Sequence, residues 1–460
     1  MKKYSVFLII LWFVIVLFAA FNHEIWRDEA QVWCIVRDLN FFDAFQMARN
    51  EGHPFLWYMV VMPFAKLGLP VEAMQIVGLM FVFASVFVLI WKSPFFAFQK
   101  TIIVLSAGLT YYLPVIVRNY ALIPLLIFLL AYLYEKRAEK PYFYSITLIL
   151  LSHTHLYMLG FCGALFLLFT YEQIKKKNLS ELKPVVLLCL NFLILFLLFN
   201  NTQNENYALE SNVKTTIPFL SVLLLISKIL FYNLAKFSEF TIKFFDYFSV
   251  FSFYPFVIAI FCSLFKNDRK SAFVLFSGIG FILFVFTQIY FNGILYQKIF
   301  LIFLIMIFCI WIAKKKTKVL LYSFNILFFI SMLVSPFVIQ DEIKYNFSGG
   351  KQVATYINEN YKEESIIKAF GNPYLYSSVS AYLPNKKLYN VVSKSYVSYF
   401  DFKSGSQISN IEEPTNNNCF VIHESVENPE KMGFEILFKS SDINLSTKTQ
   451  REVFSVGILK

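Results

Sequence analysis

Apolar stretches of about 17 to 20 residues recur through most of the first 340 positions, beginning with "YSVFLIILWFVIVLFAAF" at 4–21. As helices they are long enough to cross a hydrocarbon core of about 30 Å. Inside a bilayer every backbone N–H and C=O must find a partner within the protein, so only helices and closed barrels span it. The runs are continuous instead of alternating, which argues against a barrel. The chain is therefore expected to be an all-α polytopic membrane protein. Composition agrees: 58% of residues are hydrophobic and 15% charged, where soluble domains sit near one half and one quarter.

The run after Met1-Lys2-Lys3 has too long an apolar core for a signal peptide and no small-x-small cleavage site, so it reads as an uncleaved anchor. Further spans are expected at 73–91, 101–116, 120–134, 142–153, 155–171, 184–200, 247–264, 271–290, 295–313 and 317–338. The net charge of +11 comes from lysines clustered in short connections such as "WKSPFFAFQK", "EKRAEK", "EQIKKKNLSELK", "FKNDRK" and "AKKKTK". That is the positive-inside pattern of a cell (cytoplasmic) membrane protein, and no nucleic-acid partner is implied. It puts the N-terminus in the cytoplasm and the loops 22–72, 117–119, 153–155, 201–246 and 291–294 outside. The segment 54–70 carries Pro63 and Lys66 and, by this parity, lies on the outer interface without crossing. The segment 217–232 is re-entrant or interfacial, or crosses together with another stretch, giving about 11 to 13 transmembrane helices.

Beyond Pro336 the chain turns polar, so it divides into a membrane domain, 1–339, and a small extracytoplasmic α/β domain, 340–460. In the latter, "GGKQVATYINENYK" and "LYSSVSAYL" read as helices, and "SIIKAF", "KLYNVV", "NCFVIHES" and "FEILFKSS" as strands. Cys162, Cys189, Cys262 and Cys309 lie in apolar runs as packing residues. Cys34 and Cys419 lie outside the spans, where a pairing is conceivable but nothing in the spacing asks for it.

A charge costs on the order of 3 kcal/mol at the centre of a membrane helix, so the placement of ionisable groups is informative. On this topology they gather on the outer side. Asp28 and Glu29 open the first outer loop, and "NEGHPFLWY" sets Glu51 and His53-Pro54 before the interfacial helix. Arg118 and Tyr120 sit at a second outer turn, His153, His155 and Tyr157 at a third, and Tyr296, Gln297 and Lys298 at a fourth. Each has a plain structural reading. The acids are a solvated pair, His53-Pro54 a helix start, and Arg118 and Lys298 snorkelling anchors. Glu24 and Arg27 read as local ion-pair or surface residues. His153 and His155, two apart, point to different faces of a helix and do not make a two-ligand metal site there. Together, acid, imidazole and cations on one membrane face imply a polar cavity at the outer leaflet.

An anchor, then "DEA" opening a large outer loop, then "GHPFLWY", resembles the GT-C glycosyltransferases, and within them the protein-mannosyltransferase and Rgt/ArnT-like branch. That branch shows Asp-Glu after the first span and a "GHPPLYY"-like element; here Phe55 replaces the second Pro and Trp57 the first Tyr. "Arg-Asn-Tyr" at 118–120 is similar to the branch's second outer loop but lacks its following Asp, and "LYQKIFLIF" has Lys298 where Arg is usual, with no Pro after it. The similarity covers roughly the first 340 residues as topology, with two short specific motifs, and the outward C-terminal domain fits it.

The resemblance implies an inverting hexosyl- or pentosyltransferase with a polyprenyl-phosphate-linked sugar donor. The acceptor would be a glycan, glycolipid or protein, reached among membrane lipids. Asp28 would be the base that takes the acceptor proton, with Glu29 beside it. Arg118 and Lys298 would face the phosphate, assisted by His53, Tyr120 and one of His153 or His155. Some GT-C branches use a divalent cation; no second acidic cluster appears in the outer loops, so no cofactor is expected. The alternative is a lipid or polysaccharide transporter or flippase, which would more often show inverted repeats and broken helices near the midplane.

Overall fold

The computed structural model describes residues 2–175, 182–200, 223, 239–288, 296–401, 418–441 and 452–459. Its membrane-type part is a helix bundle. In chain order it comprises α1 (Lys2–Asn22), α2 (Arg27–Asp38), α3 (Phe41–Asn50), α4 (Leu56–Lys66), α5 (Ala73–Lys92), α6 (Ala97–Val104), α7 (Ile123–Tyr134), α8 (Pro141–Ser152), α9 (Leu159–Lys175), α10 (Lys183–Asn200), α11 (Glu239–Asn267), α12 (Arg269–Gln288), α13 (Tyr296–Ile312) and α14 (Lys318–Lys344). Six helical segments among the described residues are long and apolar enough to cross a membrane: Lys2–Asn22, Ala73–Lys92, Leu156–Lys175, Lys183–Asn200, Arg269–Thr287 and Lys318–Lys344. Four shorter apolar helices, Asn119–Tyr134, Pro141–Ser152, Phe253–Asn267 and Lys298–Ile312, accompany them. Large side chains such as Phe18, Phe87, Leu167 and Phe276 are exposed around the bundle, an outer surface suited to lipid. The 217–232 stretch lies outside the described residues.

Two sequence expectations meet the structure differently. At 11 residues α4 is about 16 Å long, shorter than a bilayer core, but α7 and α8 at 12 residues each, where spans are expected at 120–134 and 142–153, are short by the same measure. The span expected at 101–116 is instead broken. Helix α6 ends at Val104, the chain makes a π-helical turn over Gly108–Tyr112, and Leu113–Val117 run irregularly, all buried. Ser106 and Thr110 hydroxyls bond back to the Ile103 and Ser106 carbonyls, which competes with the regular ladder. A Cβ on Gly108 would lie 2.6 Å from the Phe300 ring. Pro114 then removes a donor. The freed Leu109 carbonyl accepts from Trp12 Nε1 at 2.7 Å, so no buried backbone cost results there. This break delivers Val117 and Arg118 to one end of the bundle.

The C-terminal part adds α15 (Gly350–Asn360), α16 (Ser377–Ala381) and six strands: β1 (Ile366–Phe370), β2 (Lys387–Asn390), β3 (Ser395–Tyr396), β4 (Cys419–His423), β5 (Phe434–Lys439) and β6 (Phe454–Leu459). The sheet order is β3-β2-β1-β4-β6-β5. Strand β1 runs parallel to β2 and β4, and the remaining pairs are antiparallel. The expected helices and four strands are there; the two further strands, β3 and β6, were not anticipated. All six cysteines are free thiols, so Cys34 and Cys419 do not pair.

This α/β unit packs on α2. Small residues of α16 let the backbones approach: Arg37 Nη1 donates to Ser380 O at 2.9 Å, and Cys34 Sγ faces Ser377 O at 3.8 Å. The Tyr382 hydroxyl accepts from Ile25 N at 2.8 Å. Glu452 takes the Arg27 backbone N–H with both oxygens, at 3.0 and 3.2 Å. A carboxylate from the last described segment thus caps the N-terminus of α2, where orphan N–H groups favour an anion.

Candidate functional site

Between α2, the α3–α4 turn and the 113–119 segment lies a cleft of about 80 Å³, lined among others by Asp28, Gln31, Glu51, His53, Trp57 and Arg118 and roofed by Tyr374 of the C-terminal domain. The α3–α4 turn forms because Gly52 adopts φ +72°, the left-handed cap that ends many helices. Gly52 N bonds to Arg49 O and His53 N to Ala48 O, both at 2.9 Å, as in a Schellman motif. The turn holds Glu51 and His53 against the same space.

Asp28 is the electrostatic centre. One oxygen accepts from Arg27 Nε and Nη2 at 3.1 and 3.0 Å, the other from Arg118 Nη1 at 2.9 Å. Burial acts to raise its pKa, but Arg118 and Arg27 outweigh burial and hold the carboxyl at about 2. Arg27 stacks beneath the Tyr374 ring, 4.1 Å from its centroid, and is buried; of its two expected readings, local ion pair or surface residue, the ion pair with Asp28 is the one observed. Buried Lys298 lies over the Tyr157 ring at 5.0 Å, and its charge reaches Asp28 and His53. For His53, burial and then Arg118 and Lys298 push the imidazole down to about 3, so it stands neutral.

His155 Nδ1 accepts from Tyr157 N at 3.1 Å; Nε2 therefore carries the proton and donates to the Tyr120 oxygen at 2.9 Å. Its ring stacks on Tyr120 and Tyr157 and meets His53 edge-on at 5.8 Å between centroids. Asp28, His53, Arg118, Tyr120, His155 and Lys298 thus gather at one end of the bundle. Two others go elsewhere. His153 Nε2 bonds Asn191 Oδ1 at 2.8 Å, tying α8 to α10. Glu29 turns into the core, where its carboxylate meets His23 Nε2 at 2.9 Å, Trp26 N and Val117 N. His23 Nδ1 donates in turn to Glu342 Oε1 at 3.0 Å, and Tyr111 closes the network on Glu342.

Sequence reasoning missed Gln31, Trp57, Tyr58 and Tyr374 and gave Glu51 no role. Glu51 Oε1 accepts from Gln31 Nε2 at 2.7 Å and Oε2 from the Tyr58 hydroxyl. Burial pushes Glu51 up to about 7 against these two hydrogen bonds. Trp57 Nε1, Asn119 Oδ1 and His53 Nδ1 line the cleft, buried and without a hydrogen-bond partner among the described residues. Buried polar atoms are rarely left so, and these offer a ligand both a donor and an acceptor. Among the described residues no three His, Cys, Asp or Glu side chains gather as a metal-binding group. No family model, curated protein or solved structure matches the chain.

Proposed function

We propose that this chain is a GT-C-like inverting glycosyltransferase that moves a sugar from a polyprenyl-phosphate donor to a glycan, glycolipid or protein at the outer face of the cytoplasmic membrane. The observation that carries the reading is a carboxylate held between two guanidiniums, Asp28 with Arg27 and Arg118, in a cleft at one end of an apolar helix bundle. Arg118 and Lys298 stand beside Asp28, two cations suited to a phosphate. Arginine forks match phosphate oxygens in pairs. A donor phosphate competes with Asp28 for Arg118, and the loss of that partner lifts the Asp28 pKa from about 2 toward the range of a working base. Asp28 then takes the acceptor proton as its oxygen attacks the anomeric carbon from the face opposite the phosphate, which inverts that carbon. The unpartnered donor on Trp57 and acceptor on Asn119 suit sugar hydroxyls, which both give and accept hydrogen bonds.

The test is release of polyprenyl phosphate from a panel of lipid-linked sugar donors by the full chain in lipid nanodiscs, followed by mass spectrometry. Arg118→Ala should raise the donor KM most. Equal donor use by wild type and Arg118→Ala would overturn the phosphate assignment.

A further inference from the structure

The cleft holds two carboxylates in opposite surroundings. Asp28 is gripped by charged donors on both oxygens. Glu51, 6% exposed, is gripped by neutral ones, the Tyr58 hydroxyl and the Gln31 amide. The orientation of that amide is fixed by the C-terminal domain. Gln31 Oε1 accepts from Phe400 N at 2.9 Å and Ser377 Oγ at 3.0 Å, while Nε2 donates to Phe400 O at 2.7 Å. Every hydrogen-bonding position of the amide is filled, and its nitrogen can only donate to Glu51 Oε1. A proton on Glu51 therefore belongs on Oε2, where the Tyr58 hydroxyl can reverse its role and where His53 Nδ1 lies 3.8 Å away.

We propose that Glu51 is a second catalytic carboxylate of this site, the acid that protonates the departing phosphate, and that the C-terminal domain positions it through Gln31. This rests on the glycosyl-transfer reading above. As the bond from the anomeric carbon to the phosphate oxygen breaks, its electron pair stays on that oxygen, which takes the Glu51 proton. The acceptor oxygen bonds to the anomeric carbon and its proton goes to Asp28. The acceptor's hydrogen has then moved, in balance, to polyprenyl phosphate once Asp28 returns a proton to Glu51. Two acids whose surroundings push them apart are the usual arrangement for paired acid and base roles. The groups facing Glu51 include Tyr58 from α4, Gln31 and Asp28 from α2, His53 from the turn and Arg118 from the broken segment; Arg118 lowers its pKa and Asp28 raises it, and burial dominates both.

Infrared spectroscopy of the full chain in nanodiscs reads the protonated carboxyl directly, without substrate. A buried acid band should be present at mildly acid pH, fade as pH rises through about 7, vanish in Glu51→Gln and survive in Asp28→Asn. Tyr58→Phe, which removes a hydrogen bond favouring the charged form, should carry the band to higher pH. A band that survives in Glu51→Gln, or is missing from the wild type, overturns the assignment whatever the enzyme does. In the transfer assay, Glu51→Gln should lower kcat by about 10²-fold or more and remove the alkaline limb of the pH profile. Unchanged kcat overturns the acid role. A wild type that transfers from no lipid-linked donor overturns the underlying reading, and the acid role with it, while the infrared result still stands by itself.

Discussion

Asp28 and Glu29 are neighbours on one helical turn, yet they live in different worlds. Successive residues on an α-helix point about 100° apart, and that rotation sends Asp28 to the cleft and Glu29 to the core. Asp28 meets two arginines beside open space. Glu29 meets an imidazole and two backbone amides in a closed network that ties the end of α1 to α2, the broken segment and α14. One acid stands beside open space, the other holds the frame that presents the first.

The sharpest way to break this comparison is to neutralise each acid in turn. Asp28→Asn should lower sugar transfer per folded molecule by about 10² to 10⁴-fold and cost some stability, though less than Glu29→Gln does, because the Asp28 side chain keeps 18% of its exposure while that of Glu29 keeps none. Glu29→Gln should cost about 3–5 kcal/mol of stability, the usual effect of stripping one partner from a buried ion pair, seen in thermal unfolding or as loss of protein from the membrane. If the two variants exchanged these phenotypes, the division of labour would be wrong.

The same contrast has a pH signature. Burial opposes the charge on His23, but Glu29 and Glu342 raise its pKa to about 10. A raised folded value means that the stabilisation is complete below the ordinary pKa of 6.5 and is lost as pH climbs through about 10. Asp28, depressed to about 2, stabilises above its ordinary 3.8 and loses that contribution as pH falls through about 2. The melting difference between wild type and His23→Gln should therefore shrink on the alkaline side; a difference that grew there would reverse the sign argued here. The smallest expected effect is at His153, whose bond to Asn191 is a packing link. His153→Phe should cost about 1 kcal/mol and leave transfer within twofold, and a large loss of transfer would return it to the site.

Much of this was legible in the chain. Apolar run length announced the bundle, and the scarcity of charge in it made Asp28, Arg118 and Lys298 conspicuous. The broken span was less legible, because hydropathy registers Leu113–Val117 as apolar while Pro114 and the packing at Gly108 decide the backbone path. The inward turn of Glu29 was hidden because its partner His23 is held from the other side by Glu342, 319 positions along. Glu51 was seen on the outer side but given no role, because its surroundings are built by Gln31 and, behind it, by Phe400, 369 positions from Gln31. Local patterns carry no trace of such distant neighbours.

The cap on α2 has a consequence for biosynthesis. Arg27 N waits on Glu452, 425 positions later, so that helix end stays open until residue 452 has left the ribosome. A nascent chain can thread its greasy segments into the bilayer and bring Asp28 to its arginines while the roof is still unmade. The Gln31 contacts with Ser377 and Phe400, 346 and 369 positions along, wait in the same way for segments made long after α2.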